Sequence, residues 1–69
     1  WQLVDTFNGW RSGFYRTPEA AFRALEKHQR HAREHAHMCM KVVIGPEGNK
    51  WTVWNGRMMP VQEFYDRFG

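Results

Sequence analysis

At 69 residues, with one cysteine and a formal charge of +3, the sequence has room for a single small domain and excludes an internal disulfide or a cysteine zinc cluster. A chain of this size buries only about 60% of its unfolded surface, so four Trp, five Phe and two Tyr are the available source of extra stability. No apolar run approaches the roughly 20 residues that cross a bilayer, and ten basic against seven acidic residues favour acidic partners mildly, so a soluble, cytoplasmic protein is expected.

Trp1 to Phe7 alternates, with Trp1, Leu3, Asp5 and Phe7 on one side and Gln2, Val4 and Thr6 on the other, which predicts a strand. Asn8-Gly9 follows at once and suits a two-residue type I′ turn, after which the chain returns through Trp10 to Arg16. That turn sets Phe7 opposite Trp10, Asp5 opposite Ser12 and Leu3 opposite Phe14. Trp1, Leu3, Phe7, Trp10 and Phe14 then share an apolar face, while Arg11 and Tyr15 fall on the other. Gly13 weakens or bulges the second strand.

Thr17 to about Ala36 predicts the one long helix. Thr17 caps its first turn, Pro18 occupies the first helical position and Glu19 suits the positive end of the dipole. Ala21, Leu25, His28, Ala32 and Ala36 recur at helical spacing with Phe22 and Ala24 on the flanks, opposite a basic face of Arg23, Lys27 and Arg30. The pairs Glu19 with Arg23 and Glu26 with Arg30 stand at the spacing of helical ion pairs. Small residues on the apolar face call for a sheet carrying bulky side chains.

Met38 to Ile44 alternates again, placing Met38, Met40, Val42 and Ile44 on the expected core side and Cys39, Lys41 and Val43 outward. A turn within Gly45 to Asn49 leads to a strand from Lys50 to Trp54, with Trp51 and Val53 inward and Lys50, Thr52 and Trp54 outward. Asn55-Gly56 offers another tight turn before a short edge strand over Arg57 to Met59, and Pro60 opens a terminal helix with a stripe of Val61, Phe64, Tyr65 and Phe68. The fold class is α+β, residues 1–69 forming one domain. A small antiparallel sheet of two hairpins, with room for a fifth strand, carries the long helix on one face and ends in the short helix.

His28, His31, His35, His37 and Cys39 are potential metal ligands in one span, but there is neither an HExxH nor a paired CxxC, and no metal or cofactor is expected. Cys39 beside His37 meets part of the requirement for a nucleophile, yet so short a chain leaves little room for a closed pocket, and no enzyme is expected. Asp5, on an apolar strand face, needs a partner, with Ser12 and a helix histidine as candidates.

The sheet face away from the helix is the most suggestive surface. It is expected to display Arg11, Tyr15, Lys41, Lys50 and Trp54, with Lys41 opposite Trp54, and aromatics interleaved with cations stack bases and hold phosphates. The expectation is a non-enzymatic domain that binds nucleic acid there, with Arg23, Lys27 and Arg30 as a secondary basic face. A small adaptor or inhibitor docking on a protein or nucleoprotein complex is the alternative, and a homodimer using the same aromatics is a further one. No RNP-type submotif, GXXG loop or helix-turn-helix pattern is present in the sequence.

Overall fold

The computed structural model describes residues 1–68. Chain order runs β1 (Gln2–Asp5), β2 (Arg11–Phe14), α1 (Pro18–Glu34), β3 (Lys41–Ile44), β4 (Lys50–Trp54), β5 (Arg57–Pro60) and α2 (Val61–Phe68). The strands form one antiparallel sheet in the order β2-β1-β3-β4-β5, so the two predicted hairpins meet at β1 and β3 and the fifth strand extends the second. Helix α1 lies across β1, β3 and β4, and α2 packs on β4 and β5. The α+β class is as expected.

Helix α1 begins where its sequence says it should, with the Ala20 amide donating to Thr17 Oγ1 at 3.3 Å and Pro18 following the cap. It ends in a Schellman arrangement: the His37 amide donates to Ala32 O at 2.7 Å and the Ala36 amide to Arg33 O at 3.2 Å. Ala36 takes the left-handed position at φ 55°, where a Cβ is strained. Ala36→Gly is therefore expected to raise stability by about 1 kcal/mol and the melting temperature by about 4–8 °C, readable in a thermal scan.

The core lies between α1 and the sheet, built from Leu3, Ala21, Phe22, Leu25, Val43 and Val53, with Trp1, Tyr15, Ala24, Cys39 and Trp51 packed around it. Trp1 lies over Gly45, where an added Cβ would stand 3.1 Å from the ring, and meets Phe22 at 6.5 Å between centroids. Bulky sheet residues thus cover the alanine face of the helix, as its composition required.

Three expectations about the faces are corrected. The first connection is longer than a two-residue turn, because only Gly9 of the Asn8-Gly9 pair has positive φ and a type I′ turn needs both. The Asp5 carboxylate organises this loop by accepting the Phe7 amide at 2.8 Å and the Asn8 amide at 3.1 Å, while the Asp5 amide donates to Trp10 O at 2.7 Å. Asp5 therefore stands opposite Trp10 rather than Ser12, and Phe7 projects from the loop, 83% exposed.

The second correction follows from a bulge. Val4 pairs with Arg11 but Gln2 with Phe14, so one extra residue enters β2 between them, and Ser12 Oγ fills the gap by accepting the Leu3 amide at 2.9 Å. Beyond it every side chain changes face: Phe14 turns outward, 82% exposed, and Tyr15 turns inward against the core.

The third concerns β3. The loop after it closes with the Gly45 amide on Asn49 O and Gly48 at φ 86°, which sets Val43 opposite Trp51. Val43 and Lys41 therefore face α1, and Val42 and Ile44 face away, the reverse of the expected order. The Asn55-Gly56 turn, with positive φ at both positions, and the strand after it are as expected.

Among the described residues the ion pairs are Asp5 with Lys41 and Glu63 with Arg67; the expected pairs along α1 are not among them, consistent with the small free energy of exposed pairs.

Candidate nucleic-acid interface

The five residues expected on one open face are divided by the sheet. Lys41 faces α1, where its Nζ lies 3.5 Å from Asp5 Oδ2 and 5.6 Å from the centre of the Trp10 ring. Tyr15 packs beside the core on the same side. Arg11 and Lys50 are exposed on the opposite side, Arg11 donating to Gln2 Oε1 at 3.4 Å. Trp54 also lies on that side but meets α2, with ring centroids 5.7 Å from Phe64 and 4.6 Å from Phe68. Lys41 is not opposite Trp54, whose partner is Arg57.

Around α1 the structure gathers a different set. Arg23, Lys27 and Arg30 are exposed along its outer ridge, joined by Arg33. A groove of about 710 Å³ runs along one flank, lined by Tyr15, Arg23, Lys27, His28 and His31. Another of about 480 Å³ runs along the other, where Arg30, Arg33 and His37 stand across from Trp54, Asn55 and Gly56. The first flank therefore combines helix cations with the Tyr15 ring, whereas the second meets Trp54 only at the β4–β5 turn, its ring lying on the far face against α2. Arg33 was not singled out from sequence, and His37 and Asn55 were singled out only as a candidate metal ligand or base and as a turn former. Arg33 follows Arg30 at helical spacing and was findable, although a cation in the last turn also has the plain role of meeting the negative end of the dipole.

The loop between β1 and β2 is tied to α1 by an aromatic contact and to β3 by an ion pair. The Trp10 ring stands edge-on to His28 at 5.9 Å, and Lys41 bridges toward Asp5. The Phe7 and Asn8 amides, with help from Lys41 and against burial, hold the Asp5 carboxyl below its ordinary 3.8. Burial, then the charges of Lys41 and His31, depress His28 below its ordinary 6.5. Both shifts have the same sign for stability: the unfolded chain binds protons more readily. The His28 contribution is complete above pH 6.5 and erodes as pH falls from there through its native value; the Asp5 contribution is complete above 3.8 and is lost below it. Urea unfolding across pH 8 to 3 should show both declines, His28→Gln removing the upper and Asp5→Asn the lower.

His31 and His35 have ring centroids 4.3 Å apart, but no three His, Cys, Asp or Glu side chains converge as a metal site among the described residues. No helix among them is long and apolar enough to cross a membrane. No protein-family profile matches the chain, nor does any curated protein or solved structure.

Proposed function

We propose that this domain binds nucleic acid without catalysing a reaction, using the α1 ridge of Arg23, Lys27, Arg30 and Arg33 together with the grooves on its flanks. The observation that carries the reading is a row of four exposed cations on one helix with the Tyr15 ring in the groove beside it. Cations along a ridge meet phosphates, and the Tyr15 edge in its groove contacts a base or sugar that leaves the stack. No cofactor is needed, and a cytoplasmic setting belongs to the same proposal.

The second reading is an adaptor or inhibitor that docks on a protein or nucleoprotein complex. The exposed rings of Tyr65 and Phe68 on α2 favour it, because exposed aromatics mark contact surfaces. Anisotropy of a labelled random oligonucleotide over a salt series separates the two. Nucleic-acid binding predicts a steep log–log slope that becomes shallower by about 1 in each of Arg23→Ala, Lys27→Ala and Arg30→Ala, with Lys41→Ala nearly silent because Asp5 already engages that cation. Binding that ignores salt, or is absent at low salt, refutes it.

A further inference from the structure

The C-terminal end of α1 presents two imidazoles to solvent side by side. His31 and His35 stand at the i, i+4 spacing, both are exposed, and their ring centroids lie 4.3 Å apart at an interplanar angle of 49°. The turn that presents them is closed, because the His35 amide donates to His31 O at 3.1 Å and the His37 amide, just beyond, ties back to Ala32 O. Among the described residues no side-chain hydrogen bond or ion pair engages either ring. Neither burial nor a polar partner therefore accounts for the pair.

The spacing suits a metal ion. Two imidazoles bound to neighbouring positions of one zinc-sized ion have ring centres roughly 4.5–5 Å apart, since each ligating nitrogen stands about 2 Å from the metal at a right to tetrahedral angle. The observed pair falls just short of that separation, and small χ rotations of two exposed side chains close the gap. His31, Glu34 and His35 also stand in the order H-x-x-E-H, a helical motif whose two histidines ligate zinc. No third His, Cys, Asp or Glu converges on the pair among the described residues, so the remaining coordination positions fall to water. Catalytic zinc has three protein ligands, which makes this pair a binding site and not a catalytic one. A cation there meets the negative end of the α1 dipole. Lys27, which lines the same flank as His31, opposes it, but that side chain is exposed and its charge is screened by salt.

We infer that His31 and His35 chelate one divalent transition-metal ion of the zinc, nickel or copper kind, the ions that imidazole nitrogen prefers, and that the ion clamps the C-terminal end of α1. Magnesium and calcium, which take oxygen ligands, do not fit the pair. Expectation from sequence ran against any metal because it looked for a full ligand set, whereas a chelating pair needs only one helical turn. The ion binds without nucleic acid, so the site holds whichever partner the basic ridge takes.

Calorimetric titration of the chain, free of any histidine tag, with zinc chloride in a non-coordinating buffer tests the site, with magnesium chloride as the silent control. One zinc ion per chain is expected. His31→Ala and His35→Ala should each weaken it about tenfold or more, the smallest loss that follows even from removing a ligand's supporting hydrogen bond. His28→Gln and His37→Ala leave the pair intact and should leave the affinity unchanged. Both mutated ligand positions are exposed and alanine favours helix, so the fold persists, which circular dichroism on each variant establishes. Paramagnetic nickel should broaden amide signals most strongly at residues 31–35. Absence of zinc binding up to about millimolar ion overturns the inference, as does binding that survives both alanine variants or depends on only one of them. Binding lost instead in His37→Ala or Cys39→Ser overturns it too and gives the ion to the connection between α1 and β3.

Discussion

Leu25→Ala should leave little folded protein at 37 °C. Leu25 is 0% exposed, at the centre of the cluster where α1 meets Leu3, Val43 and Val53. Removing a fully buried leucine costs about 2–5 kcal/mol through lost transfer energy and the cavity left behind. A domain of this length has roughly 3–10 kcal/mol in total at the usual stability per residue. Few neighbours can collapse into the space, because Ala21 is already small and the strands on the other side are held in register by the sheet. Phe14→Ala is the informative contrast. Sequence pattern puts both residues in the core, yet Phe14 is exposed, and its removal should change monomer stability by no more than about 0.5 kcal/mol. Urea unfolding of the two variants under dilute conditions gives the comparison, and a large loss in Phe14→Ala would discard the bulged register of β2.

Trp54→Ala should undock α2 and lower stability by about 2–3 kcal/mol, less than a fully buried tryptophan would cost because the ring is partly exposed. α2 spans Val61–Phe68 and has no buried residue of its own, too short to persist without docking. Its attachment runs through Phe64 and Phe68 on the Trp54 ring, two aromatic contacts worth about 0.5–1.5 kcal/mol each beyond their area. Loss of helical circular dichroism with α1 intact, seen as chemical-shift changes confined to residues 61–68, is the expected signature. A Trp54→Ala protein with an unperturbed α2 would show that the aromatic cluster is not what holds the helix.

Local signals carried much of the architecture. The Thr17 cap and Pro18 marked the start of α1, Asn55-Gly56 marked the tightest turn, and alternation over Lys50 to Trp54 assigned every side chain of β4 to its correct face. Each is a property of one short stretch and needs no distant partner. For the candidate interface, the basic ridge of Arg23, Lys27 and Arg30 was legible for the same reason, since helical spacing alone brings them together. Its aromatic neighbour was not, because Tyr15 reaches the groove only through the bulge in β2.

The sequence by itself determined the element order, the fold class and the basic side of α1, because propensity, capping and periodicity act within a few residues. Only the tertiary structure decided which face β2 presents beyond its bulge and which face β3 presents. A strand has two faces separated by one residue of register, so a single added residue at Ser12 and Gly13 exchanges Phe14 for Tyr15, and the loop after Ile44 exchanges Val42 for Val43. Asp5 shows the physical reason. Its carboxylate takes two amides of its own loop and meets Lys41 from a strand far along the chain, and that arrangement accompanies a lysine turned toward the helix where alternation had placed two methionines and two aliphatic side chains.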